Sequence, residues 1–167
     1  MARHSKLESD FEYLDALIGI SCHLRDYRLV YNINKYLGLA FEKTEDLPVF
    51  SARTETMSEY SCYIYTDPDA LLTYFLVANA GRDGMMLSQH KQADFFLLIK
   101  GTGGGEIADK LLEQIKNLPN ILTVFAIEQK KITNIESFIS DVELHELNLK
   151  KSLKVNTNEQ ESIDNLY

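Results

Sequence analysis

The residues able to carry chemistry in this chain are few, and their spacing works against most reactions. Gly101-Thr-Gly-Gly-Gly105 stands between an apolar run and a helical stripe. Backbone N–H groups at such a helix start cradle phosphates, and glycine lets the backbone come close. The loop lacks the lysine and hydroxyl of GxxxxGK[ST], and it does not fit GxGxxG followed by an acid about 20 residues on. Glu106 and Asp109 occupy the first helical turn, satisfy the positive end of the dipole and repel an anion. The loop therefore reads as a flexible connector.

Cys22 beside His23 suggests a thiol–imidazole pair, but neighbours in a strand point to opposite faces and do not share a hydrogen bond. Histidines 4, 23, 90 and 145 show neither HxxxH nor CxxC-like spacing with the cysteines, which argues against zinc. Asp94 opens an apolar run, where a half-buried carboxylate could serve as a general base in a small pocket. Its ordinary reading is a turn cap or an ion pair with Arg25 or Arg28. Tyr60, Tyr63, Tyr65 and Tyr74 gather on one hairpin. Tyr63 and Tyr65 share a strand face, with Cys62 and Ile64 on the other. Placed outward, that pair is an interaction surface, because binding hot spots are rich in tyrosine and the chain has no Trp. No catalytic, cofactor-binding or metal-ligating set emerges, so no cofactor is expected.

The elements that must position these residues follow from composition and period. A chain of 167 residues with 45% hydrophobic and 25% charged content is an ordinary globular domain. Lys plus Arg is 17 against 25 Asp plus Glu, a net charge of −8, which opposes nucleic acid and anionic lipid as partners. Acids concentrate between Thr44 and Asp69, where only Arg53 offsets them. No apolar run reaches a membrane span, and the start turns acidic where a signal peptide would become apolar. Two cysteines in apolar runs are then expected as buried, unlinked thiols of a cytoplasmic protein.

Leu17–His23 reads as a buried strand. Asp26 opens a helix to Gly38 with the stripe Leu29, Val30, Ile33 and Leu37. Leu39–Lys43 forms a short strand, and 44–58 shows no period and reads as loop. Tyr60–Tyr65, a turn at Thr66–Asp69, Leu71–Ala78, a turn at Ala80–Gly84 and Ala93–Ile99 follow, the last apolar on both faces as a central strand. A helix over 106–118 carries Ile107, Leu111, Leu112, Ile115 and Leu118, and leads to the strand Ile121–Ile127. The order β-α-β-β-β-β-α-β predicts an α+β fold over 1–147: a single mostly antiparallel sheet with two helices on one face, ferredoxin-like in outline. From Asn148 the chain is polar and aperiodic, which predicts a disordered tail over 148–167.

Asp26-Tyr-Arg-Leu29, Asn34-Lys-Tyr-Leu-Gly38, Asp94-Phe-Phe-Leu-Leu-Ile-Lys100 and Leu118-Pro-Asn-Ile-Leu-Thr-Val124 together resemble the IPExxxVDY family, small bacterial proteins of the Bacteroidetes type. The naming motif falls on Leu87–Phe95. Asp94 is identical, Leu87, Ala93 and Phe95 are conservative, and Ser88 and Gln89 replace Pro and Glu. The resemblance implies no activity. The crossover ending in Leu118–Val124 is also similar to ACT domains, which implies a ligand at a sheet edge or dimer interface. Three functions follow as expectations. The foremost is a non-catalytic protein-interaction or regulatory domain with another protein, or a second copy, as partner. The others are an ACT-like small-metabolite sensor and a small enzyme with a pocket near Asp94.

Overall fold

The computed structural model describes residues 13–164. Ten strands and three helices occur among them. The N-terminal strand β1 (Ala16–Cys22) leads to α1 (Asp26–Leu37). The helix ends where Gly38 adopts a left-handed φ of 67° and donates its N–H to the Asn34 carbonyl. The two-residue β2 (Glu42–Lys43) precedes a hairpin of β3 (Leu47–Ser51) and β4 (Thr56–Tyr60). Then come β5 (Cys62–Asp67), β6 (Leu72–Ala78) and the small hairpin β7 (Ala80–Gly81) and β8 (Gly84–Met85). After a single 3-10 turn at Ser88–His90, β9 (Phe95–Lys100), α2 (Gly104–Lys116) and β10 (Ile121–Ala126) complete the sheet. A long helix, α3 (Ile135–Asp164), follows.

The main sheet runs β10-β1-β9-β6-β5-β2, with every pairing antiparallel. β9 and β10 both run antiparallel to β1, so they are parallel to each other with β1 between them, and α2 crosses over β1 to join them. The period-2 alternation sorts side chains cleanly. Ile18, Ile20, Tyr63, Tyr74, Leu76, Leu97 and Ile99 pack with Leu29 and Ile33 of α1 and Leu111 and Ile115 of α2. Leu17, Cys62, Phe75, Val77, Phe96 and Leu98 point the other way and pack with Ile135, Phe138, Ile139 and Val142 of α3 and with Leu47 and Val49 of β3. β9 lies between β1 and β6, the central position its uniformly apolar residues predict.

The fold is α+β with a mostly antiparallel sheet, and three expectations change. Helices cover both faces rather than one, since α3 and the β3–β4 hairpin close the face opposite α1 and α2. Residues 44–58 are not loop: short strands interrupted by Pro48 and Ser51 expose too brief an alternation to register as a period. The polar segment from 148 continues α3 to Asp164, with residues 151–158 exposed, while 165–167 lie outside the described residues.

One buried polar side chain organises the segment 79–94. Asn79 is 1% exposed. Its Oδ1 accepts the Leu87 N–H at 2.9 Å, and its Nδ2 donates to the carbonyls of Ala93 at 2.9 Å and His90 at 3.2 Å. The N–H of Asn79 donates to the Asp94 carbonyl, and its carbonyl accepts from Met86. Thr133 N–H donates to Gln89 Oε1 at 2.8 Å, tying the same segment to the chain ahead of α3.

Asn79→Ala leaves those backbone groups buried without partners and is expected to cost roughly 2–4 kcal/mol. A thermal melt reads this as a fall of about 5–15 °C in Tm. Residues 151–158 are exposed, so truncating the chain after Lys150 should leave Tm within about 2 °C of the full chain, by the same measurement.

Candidate functional site

The groups with chemical potential are almost all engaged in holding the backbone. Gly104 begins α2 after two positive-φ glycines, Gly101 (134°) and Gly103 (86°). Its N–H donates to Asp15 Oδ2 at 2.9 Å. A carboxylate of this chain therefore already sits where an anionic ligand of the glycine loop would bind. The same site admits no side chain at Gly104, since a Cβ there would lie 2.7 Å from Asp15 Cβ and 2.8 Å from Ile99 Cγ2.

Asp94 is exposed, not half-buried, because it ends the turn just before β9 rather than entering the sheet. Its Oδ2 accepts the Cys22 N–H at 2.9 Å and the Ser21 hydroxyl at 3.4 Å. It makes no ion pair with Arg25 or Arg28. Of the other motif positions, Leu87, Ala93 and Phe95 are buried core. Gln89 accepts the Thr133 N–H through its Oε1.

Cys22 and Cys62 are buried and unlinked. Burial pushes the Cys62 thiol up to about 11 and raises Cys22 as well, so neither is a ready nucleophile. His23 is exposed while Cys22 is buried, so the adjacent pair is split between faces. Among the described residues no group of three or more His, Cys, Asp or Glu side chains could hold a metal ion.

The tyrosine hairpin is a correction. Tyr63 is 8% exposed and Tyr65 half-buried, because the face they share is covered by α1 and α2 rather than open to solvent. Tyr65 stacks on Tyr74 with centroids 5.5 Å apart, and Phe41 tilts against Tyr65 at 6.0 Å. The Tyr63 hydroxyl donates to Asp26 Oδ2 at 3.2 Å, beside Ser61 at 2.6 Å. Burial, followed by the Asp26 charge, pushes Tyr63 up to about 12. At Asp26 burial acts upward, but hydrogen bonds from Ser61, the Tyr27 N–H and Tyr63, with the Lys43 charge, leave it below the usual carboxylate range.

Asp26 is thus turned inward, and that turn shapes the surface of α1. Away from the stripe that packs on the sheet, Tyr27 and Tyr31 are 56% and 62% exposed with Arg28 and Lys35 exposed beside them, while Tyr36, 55% exposed, lies on the flank that borders Leu29 and Ile33. Lys35 Nζ lies 5.7 Å from the Tyr31 ring centroid and 5.3 Å from that of Tyr36. A groove of about 560 Å³ is lined by Leu24, Tyr27, Arg28, Tyr31, Asn32 and Asn120. The helical period that identifies the buried stripe also places Tyr27 and Tyr31 one turn apart on the outside. The signal was present in the sequence but lay outside the strand with the densest tyrosines.

A second buried cluster joins α3 to the sheet. Glu146, 8% exposed, accepts Lys100 at 2.8 Å and Lys150 at 2.9 Å. His145, 5% exposed, has an Nε2 without a hydrogen-bond partner and faces Lys43, Glu45 and Asp46. No family model, curated protein or solved structure matches the chain.

Burial lowers the His145 pKa against the opposing pull of Glu45, so the folded state favours the neutral imidazole. A depressed histidine contributes stability above its unfolded pKa of about 6.5 and loses it as pH falls below that value. Tm should therefore decline between pH 7 and pH 5.5, a window above the range in which Glu146 titrates. His145→Gln should flatten that part of the profile. An equal slope in the variant assigns the decline to another group.

Proposed function

We propose that this chain is a non-catalytic interaction domain, cytoplasmic and ferredoxin-like in outline, that docks an acidic segment of another protein on the outer face of α1. The observation that carries the reading is the contrast on that face: exposed Tyr27 and Tyr31 with Arg28 and Lys35, in a chain whose net charge is −8. Tyrosine and arginine dominate binding hot spots. The strand order β10-β1-β9-β6 with two helices on one face supports the ferredoxin-like outline. Kinship with the IPExxxVDY proteins belongs to the same proposal and supplies no activity. No helix among the described residues is long and apolar enough to cross a membrane.

A metabolite-sensor reading draws on the groove beside Tyr27 and Arg28, whose 560 Å³ falls in the range of small-ligand sites. The enzyme reading has less support, with Asp94 exposed and bonded to the backbone.

Peptide-display selection on the immobilised protein tests the proposal. Acidic sequences with an apolar or aromatic anchor should be enriched, and their binding should weaken as salt rises. Tyr27→Ala with Tyr31→Ala should cost at least about 2 kcal/mol of that binding, near thirtyfold in Kd, with Tm little changed. Enrichment that is absent, or equal on the double variant, refutes it. A clear thermal shift with an amino acid, nucleotide or acyl thioester would favour the sensor instead.

A further inference from the structure

The sheet ends in two unlike edges. β2 is two residues long and charged, so length, Glu42 and Lys43 blunt it as a template for further strands. β10 runs six residues, Ile121–Ala126, without a charge or a proline, and among the described residues it is hydrogen-bonded to β1 alone. Ile127 N–H donates to the Leu17 carbonyl, and the register pairs Ile18 with Ala126 and Ile20 with Val124. Hydrogen-bonded and non-hydrogen-bonded pairs alternate along an antiparallel ladder, so the N–H and C=O groups of Val124 and Ala126 point away from β1.

One end of this edge carries an acidic groove. Val124 and Ala126 share the face that α2 covers. Val124 is buried there, whereas Ala126 is exposed and lines a groove of about 220 Å³ with Asp15, Ile18, Ala108, Asp109 and Leu112. Asp15 accepts the Gly104 N–H with Oδ2, and among the described residues neither Asp15 nor Asp109 forms an ion pair. The lysines that follow β10 are engaged elsewhere. Lys131 pairs with Glu128 at 3.0 Å, and Lys130 lies over the Tyr13 ring.

From this juxtaposition we infer that β10 docks an extended segment of another protein as a further strand, with a Lys or Arg of that segment seated in the groove beside Ala126. In such strand addition the open backbone groups supply affinity, and pockets for alternate side chains supply specificity. A long cationic side chain suits this pocket at both ends. Its stem can lie along Ile18, Leu112 and Ala126, while its head reaches the two carboxylates.

Charge selects a basic strand over a second copy. The β10 of a second copy brings no cation to the groove, and the two chains carry −8 each. A basic segment is attracted both by the whole chain and by Asp15 and Asp109 locally. The site is separate from the outer face of α1 and takes the opposite charge.

Fluorescence anisotropy on the full chain tests the inference with a labelled peptide in which threonine alternates with valine around a central lysine. This probe presents the same face in either strand direction, and its twin carries glutamate at the centre. The lysine peptide should bind saturably and weaken as salt rises, with the glutamate twin at least about tenfold weaker. Asp109→Lys, at an exposed position of α2, should weaken the lysine peptide roughly fivefold or more and abolish the preference. Ala126→Pro removes an outward N–H and should weaken both peptides together. If circular dichroism shows that the proline variant does not fold, Asp109→Lys decides. No binding by the wild type, equal affinity for the twins, or an unchanged preference in folded Asp109→Lys overturns the inference. A dimer in sedimentation velocity that a folded Ala126→Pro variant loses gives the edge to a second copy and overturns it too. The Tyr27→Ala, Tyr31→Ala variant should bind the lysine peptide like the wild type, so failure of the α1 proposal leaves this result readable.

Discussion

The constraint on which the rest depends is that β1, β6 and β9 are buried on both faces. A sheet with Ile20, Leu76 and Leu97 on one side and Leu17, Phe75 and Leu98 on the other needs a cover on each side. α1 and α2 supply one, and α3 with the β3–β4 hairpin supplies the other. Cutting away either cover would expose a continuous apolar face, and such surfaces aggregate or recruit partners. The burial of Tyr63 follows directly, because no strand face in the middle of this sheet is left for binding.

The sheet was legible in the sequence where an element carried its own complete pattern. β1, α1, β6, β9 and α2 each combine an apolar run or stripe with a boundary residue, such as Gly38 after α1. The hairpin at 47–60 did not, since its inward residues Leu47, Val49, Ser58 and Tyr60 include a serine and are separated by Pro48 and a turn. α3 buries Ile135, Phe138, Ile139 and Val142 over two turns and then becomes polar, so the helical period fades long before the helix ends. For the site, residue type pointed toward Tyr63 and Tyr65, but exposure depends on which face of the sheet a helix covers, and the stripes of α1 and α2 show that they pack without showing that they pack on the face of Tyr63.

Polar side chains in this protein work mainly as backbone fasteners. Asn34 exchanges two hydrogen bonds with Phe41 and pins the chain as it leaves α1. Gln129 does the same for Leu14, Asp15 holds the start of α2, and Asp67 accepts the N–H groups of Asp69 and Ala70. Each satisfies main-chain groups that would otherwise be unpaired where strands end. Carboxylates and amides committed in this way are poor candidates for acid–base work.

The strand order also bears on synthesis. The neighbours of β1 are β9 and β10, from the other half of the chain: Leu17 waits for Leu98, and Ile18 for Ala126. As the nascent chain emerges, β1 and α1 are complete long before either pairing partner exists. Contacts this distant in sequence are slow to form, and an apolar strand left unpaired meanwhile is exposed to misassociation. The first third of this protein is thus the part most dependent on shelter during translation, and the last strand to arrive closes it.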